Sequence, residues 1–371
     1  MMTTGFDLGL SPVQTAMQDR LHAVARDELR AQAAQTERDG LDVKLLARLL
    51  EDAGIAPAML LERGVDEPHT LLVALEELAY GDAGLAWAAV PAFQIVTLLD
   101  ACGSATEKSA AGRVLTDANA TASVLLYEDF GRQPSEYETS VTASPAGVVI
   151  TGRKSSVAYP GGADVSLLVG LDGEDLAAFC FTGSRPGLTV QREDREVGKL
   201  ALTAVPSGPV TIDDLTVAVE DRLGGGIALH RAVGQARLLL AACLVGVARA
   251  SLEFASAYAT RRTTWGTPLA EYQGVSFPLV ELSTELREVR LLVWDVAARL
   301  GGLDDVEEIE RNVTRAVNRA SSLGLRATRN GVQLVGVRGI SRDLPCERWY
   351  RVAAVLAAID FDILQTPFGL N

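Results

Sequence analysis

The stretch from His230 to Arg262, HRAVGQARLLLAACLVGVARASLEFASAYATRR, restricts the fold more than any other part of the chain. Its residues keep a helical period and are apolar on nearly every side. A helix of that kind is stable in water only when other elements enclose it. Its many alanines and glycines allow those neighbours to approach closely. The most hydrophobic part, Ala236–Ala257, is interrupted by Arg237, Arg249 and Glu253, so the segment predicts a buried core helix and not a membrane span.

The rest of the chain supplies the enclosure. From Ser11 to Thr121, apolar residues recur at helical spacing, as in LLARLLEDAG and LLVALEELAYGDAGLAWAAV, with Gly54, Gly64 and Gly103 as punctuation. Between Ala122 and Gly224 the texture changes to short β-branched runs, GVVITG, DVSLLVGL, LTVQ and PVTIDDLTVAV, separated by Gly, Pro, Asp and Ser. Helices, then strands, then a long helical region predict an α+β chain with an inserted sheet module. The expected units are an N-terminal helical domain (1–121), a middle β domain (122–225) and a C-terminal helical bundle (226–371). With 371 residues, 48% of them hydrophobic and 22% charged, the chain can bury a large core.

Charge and cysteine usage exclude several functions. A net charge of −14 argues against nonspecific binding to nucleic acid or anionic membranes, both of which need counterion-displacing Lys and Arg. The four cysteines, Cys102, Cys180, Cys243 and Cys346, show no CxxC or Cys/His ligand spacing, so no metal site is expected. Reduced thiols, and an N-terminus MMTTGFDLGL without a basic flank or apolar core, fit a cytoplasmic protein. The histidines His22, His69 and His230 have no acid partner at a telling spacing and read as structural. Gly224-Gly225-Gly226 follows a strand and precedes a helix, but it lacks phosphate-loop spacing and reads as a domain junction.

Six segments, taken in order, resemble the acyl-CoA dehydrogenase family. They are EELAYGDAGLA (76–86), CGSATEKS (102–109), TGRKSSVAYPGGADVSLLV (151–169), VTIDDLTVAVEDRLG (210–224), YATRRTTWGTPLAEYQGV (258–275) and NGVQLVGVRGI (330–340). In the fifth, Tyr258, Arg262, Trp265, Gly266, Pro268 and Gln273 match the family's Tyr-x-x-x-Arg-x-x-Phe-Gly-x-Pro…Gln pattern. The resemblance covers nearly the whole chain. It implies an acyl-CoA dehydrogenase fold with a β-barrel-like middle domain and a C-terminal four-helix bundle.

The resemblance also implies a reaction. The family oxidises the Cα–Cβ bond of an acyl thioester, taking the α proton with a carboxylate and passing the β hydride to FAD. By resemblance, Arg262, Trp265, Gln273, Gln333 and Gly336 would reach the FAD of a neighbouring subunit; an Arg fork suits a diphosphate. The family's second glycine after Gln333 is Val337 here. In the middle domain, the aromatic residue beside the flavin ring corresponds to Ser156 and its hydroxyl partner to Ala158. Of the family's Glu-Pro-x-x-Gly-Ser-Asp stretch, only Glu128 is kept. Tyr127, Phe130 or Tyr159 are the alternative sources of those contacts. With Arg351 as anchor, the base position falls on Asp360, followed by Phe361-Asp362 where the family has Gly-Thr. Its alternative reading is an ordinary solvated acid near a helix end. The second family position for the base is Ala236, next to Arg237, which would face the substrate.

Three functions follow from that pattern. The first is an FAD-dependent dehydrogenase of an acyl-CoA or carrier-bound acyl thioester, a homo-oligomer reoxidised by electron-transfer flavoprotein. The second is a half-site or non-catalytic subunit of a heterotetramer with a related chain, as in actinobacterial heteromeric acyl-CoA dehydrogenases. The third is a flavin-free scaffold repurposed for binding or tailoring chemistry.

Overall fold

The computed structural model describes residues 9–65, 67–128, 132–145, 147–190 and 200–360. Seven helices come first: α1 (Pro12–Val24), leading through a π turn into α2 (Arg30–Asp39), then α3 (Val43–Asp52), α4 (Pro57–Arg63), α5 (Thr70–Gly81), α6 (Ala83–Cys102) and α7 (Ala105–Leu115). Their starts are set locally. Ser11 and Gln14 form a capping box ahead of Pro12, Ser104 and Glu107 form another before α7, and the Asp42 carboxylate accepts the Lys44 and Leu45 amides.

Seven strands follow: β1 (Ala122–Leu125), β2 (Ser140–Ser144), β3 (Gly147–Ala158), β4 (Val165–Asp172), β5 (Asp175–Thr182), β6 (Leu188–Val190) and β7 (Ser207–Val217). They form one mixed sheet in the order β1-β4-β2-β3-β7-β6, with β5 antiparallel to β4. Leu125, Ile150, Leu168, Phe179, Ile212 and Leu215 belong to an apolar core of its own, separate from the helical one. Sequence reading names the stretches of β3, β4, β6 and β7 but not β5. Residues Leu176–Phe181 of β5 are buried on both faces, which removes the period of two.

The long apolar stretch is α8 (Ile227–Arg261). A small hairpin, β8 (Thr263–Thr264) and β9 (Thr267–Pro268), precedes α9 (Gln273–Leu300), α10 (Val306–Val335) and α11 (Cys346–Asp360). α8 and α10 run parallel, since Arg237 meets Thr314 and Ser251 meets Ala327. Among the described residues two helices, α6 and α8, are long and apolar enough to cross a membrane, and both are mostly covered by the chain's own neighbours. The α+β architecture expected from the order of textures is the one observed.

The three charges that interrupt α8 all have partners. Arg237 faces Asp360. Arg249 donates to Glu76 at 2.9 Å and binds Glu77, both on α5, while Arg290 of α9 donates to Glu76 at 2.9 Å. Glu253 accepts the Tyr80 hydroxyl at 2.6 Å. His22 also lies here, its Nδ1 2.9 Å from Glu77. The two residues are 55 positions apart, so no local spacing reveals the pair, and it leaves His22 a partnered structural residue.

α8 touches α5 closely where Gly246 sits, because a Cβ there would lie 2.3 Å from the Glu76 carbonyl oxygen. Gly246→Ala is expected to force the two helices apart and to destabilise the protein by roughly 1–3 kcal/mol in urea unfolding. An unchanged midpoint would show that this contact yields freely.

Candidate active site

The sheet module and the bundle meet at one buried guanidinium. Arg237, 1% exposed, holds Asp360, 2% exposed, in a two-pronged ion pair: Nε to Oδ2 at 2.8 Å and Nη2 to Oδ1 at 3.1 Å. Nη1 donates to Gln133 Oε1 at 3.1 Å and Nη2 to Thr314 Oγ1 at 3.2 Å. The Thr314 hydroxyl in turn donates to Gln133 at 2.7 Å. Four of the five guanidinium N–H groups are thus engaged within the chain. Each Asp360 oxygen accepts one of these bonds and keeps a further lone pair.

Burial would lower the Arg237 guanidinium, but the facing carboxylate more than reverses this and keeps it charged. Burial raises the Asp360 carboxyl above the usual range, against the pull of Arg237. Nearby, Gln94 of α6 donates to the Tyr127 hydroxyl at 3.1 Å and to the Ala236 carbonyl at 3.2 Å. Burial also pushes the Tyr127 phenol upward, so it stays protonated. The turn carrying Gln133 is fastened to α10 a second time, as the Ser135 amide and hydroxyl donate to Glu310 at 2.9 and 2.6 Å.

The sequence-derived site residues separate into groups. Asp360 and Arg237 come together, and the alternative of a solvated Asp360 is corrected, since its side chain is sealed in the interior. Glu128 is turned toward Lys154, whose ammonium donates to it at 2.7 Å and to the Leu126 carbonyl at 3.2 Å. Burial would raise the Glu128 carboxyl, but Lys154 and the Thr139 and Glu138 amides outweigh this and hold it below its usual range. Burial lowers Lys154 to about 8. Ser156 and Ala158 lie on β3, half-buried and buried, and Ala158 accepts the Ser123 hydroxyl at 2.8 Å. Tyr159 is half-buried with a left-handed backbone, φ +51°. Phe130, Phe361 and Asp362 lie outside the described residues.

Arg262, Trp265, Gln273, Gln333 and Gly336 are all exposed. They share one end of the bundle, because α8 and α10 both finish there and α9 begins there. That end lies roughly 38 Å from Arg237 along α8, at 1.5 Å per residue. A single chain therefore does not bring this group to Asp360. Trp265 is 91% exposed and left-handed, φ +50°, a conformation that costs a non-glycine residue about 1–2 kcal/mol.

The comparisons bear on the whole arrangement. The family model "Acyl-CoA dehydrogenase, C-terminal domain" matches residues 224–360, from the junction before α8 through Asp360. A short-chain specific acyl-CoA dehydrogenase of Megasphaera elsdenii is 25% identical over 94% of both chains. The chain resembles the acyl-CoA dehydrogenase family in its C-terminal bundle and in its fold. The chain is also 30% identical to the 3-sulfinopropanoyl-CoA desulfinase of Paraburkholderia xenovorans (strain LB400), over 49% of its own length and 47% of that relative. The chain spans about half the length of the first curated relatives it matches. Its fold is that of Megasphaera elsdenii butyryl-CoA dehydrogenase, with a TM-score of 0.78 and 23% identity over 96% of each chain.

Gln133, Thr314, Gln94 and Lys154 were not singled out from the sequence. Only Lys154 carried a signal, as the lysine of the TGRK hairpin. The Arg237–Asp360 pair yields a measurable consequence. Arg237→Met is expected to cost about 3–5 kcal/mol in urea unfolding, because it leaves Asp360 buried without a counter-charge. Adding Asp360→Leu is expected to recover most of that loss. A loss below about 1 kcal/mol in the single variant would show that the pair is not sealed from water.

Proposed function

We propose that this chain acts in FAD-dependent α,β-dehydrogenation of an acyl thioester, with Asp360 as the base that takes the α proton. The observation that carries the reading is the position of Asp360. It is a buried carboxylate where the bundle meets the sheet module, held in one orientation by Arg237. Members of this family are FAD-dependent. When bound, FAD would supply the hydride acceptor.

The chain's residues fit the phosphate-bearing end of that cofactor. Arg262, Gln273 and Gln333 are exposed, and their side chains have no partner among the described residues. At Gly336, φ +73°, an added Cβ would meet open space, so a ligand can approach the backbone. Their distance from Arg237 favours a cofactor shared with a second subunit, and the exposed Trp265, Val337 and Ile340 beside them suit that contact.

The chain's own residues would perform the proton chemistry. Arg237 opposes the upward pull of burial on the Asp360 carboxyl and fixes its orientation, while Gln133 and Thr314 keep Arg237 in place. Gln94 of α6 and Tyr127 lie buried nearby, their polar groups already paired to each other. The acyl thioester, on CoA or a carrier, the electron-transfer flavoprotein that would accept the electrons, and a cytoplasmic location belong to the same reading. So do the three units 1–121, 122–225 and 226–371.

A second reading has one observation in its favour. Ser156 and Ala158 offer neither an aromatic face nor, at Ala158, a side-chain donor. In that reading the chain is one half of a heteromeric dehydrogenase and lends Arg262, Gln273 and Gln333 to a partner's FAD.

Asp360→Asn separates chemistry from binding. The variant is expected to keep its flavin and to bind acyl-CoA, yet to lose bleaching of the flavin absorbance on anaerobic acyl-CoA addition. Asp360→Glu should retain part of it. Wild-type bleaching in Asp360→Asn would remove Asp360 from the base role.

A further inference from the structure

A groove of about 380 Å³ opens on the side of α8 turned away from Asp360. Gln235 lines the groove and Arg237 faces Asp360 two residues later, roughly 200° around the helix. The bond from Gln94 to the Ala236 carbonyl stands between the two places. The groove is bounded by the last turns of α6, the first turns of α8, the last turns of α9 and the segment entering α5. Its walls are mainly apolar, with Leu71, Ala101, Ala232, Ala297, Ala298 and Leu300 among them.

Its polar side chains are nearly all committed to the protein. Thr97 donates to the Phe93 carbonyl at 2.8 Å, and Gln235 donates to the Pro68 carbonyl at 2.8 Å. Asp100 accepts the Val65 amide at 3.1 Å and pairs with Lys108 at 3.3 Å, which offsets its charge. The exception is Arg231. Its Nε donates to the Leu303 carbonyl at 2.7 Å and its Nη2 to Asp304 at 2.5 Å, so the guanidinium is held in place. Its Nη1 has no partner among the described residues. Asp304 is 89% exposed, so its hold on the Arg231 charge is screened by water.

We propose that this groove binds a small monocarboxylate with an apolar tail, the carboxylate on Arg231 Nη1 and the tail along the alanine-rich walls. The volume lies in the range of small-molecule sites and holds on the order of a dozen heavy atoms, at about 30 Å³ each. That is too little for a partner helix. On a chain of net charge −14, one fixed guanidinium against an apolar wall selects an anion that brings apolar surface with it. The site stands apart from Asp360, and the inference does not rest on the dehydrogenase reading.

Isothermal titration calorimetry of the full-length protein with sodium decanoate tests it, with decanol as the uncharged comparison. Wild type should show one saturable decanoate site per chain. Ala101→Phe, at an exposed position on the groove wall, should weaken decanoate about tenfold or more by filling the slot. Arg231→Gln should weaken decanoate about tenfold and leave decanol unchanged. Thr314→Ser, which keeps the Asp360 charge and the hydroxyl on Arg237, should alter neither. Absence of saturable heat, or equal affinity in Ala101→Phe, would overturn the proposal. So would loss of binding in Thr314→Ser with retention in Ala101→Phe, which would move the ligand to the junction. Indifference of decanoate to Arg231→Gln would also overturn it.

Discussion

A guanidinium almost without exposure to water is neutralised where it stands or it unfolds its surroundings, and Arg237 sets that condition for this protein. Asp360 supplies the charge from the end of α11, Thr314 a hydroxyl from α10 and Gln133 a carbonyl from the sheet module. These partners lie 123, 77 and 104 positions away in the chain, so satisfying one side chain draws the sheet module and three bundle helices to one point. Two-pronged contact to a planar fork also fixes orientation, which a single ammonium would not. The same geometry that makes Arg237 tolerable in the core gives Asp360 a defined direction.

The sheet module uses a similar device. Lys154 is fully buried on β3 and is held by Glu128, by the Leu126 carbonyl and by the face of the Tyr137 ring at 4.1 Å. The Glu128 carboxylate in turn caps the Glu138 and Thr139 amides. Gln133 and Ser135 follow Glu128 within a few positions of the sequence and tie this part of the sheet module to Arg237 and to α10. The family resemblance gives Glu128 to the cofactor; the structure shows it turned to the protein itself.

Much of the fold was legible in the sequence because it depends on local pattern. The helical period of α8, its small residues and the β-branched runs of β3, β4 and β7 each report their own environment. The family motifs then placed Asp360 and Arg237 in one region. What the sequence did not show were the contacts that hold the site. Gln133 and Thr314 are separated by 181 positions, and neither residue type is unusual where it stands. Gln94 sits in an apolar helix, where a lone amide gives no sign of pointing to Tyr127 and Ala236. β5 lost its period because both its faces are covered.

The candidate site is divided between an interior, at Asp360, and an outer end about 38 Å along α8, at Arg262. If both serve one reaction, the cofactor joins them across subunits. The visible absorption spectrum of the purified oligomer, with flavin measured per chain, tests this most directly. The account predicts a yellow protein with FAD in stoichiometric amount to the chain. A colourless protein, both with added FAD and after co-expression with a related chain, would contradict it and leave Asp360 as a structural counter-charge alone.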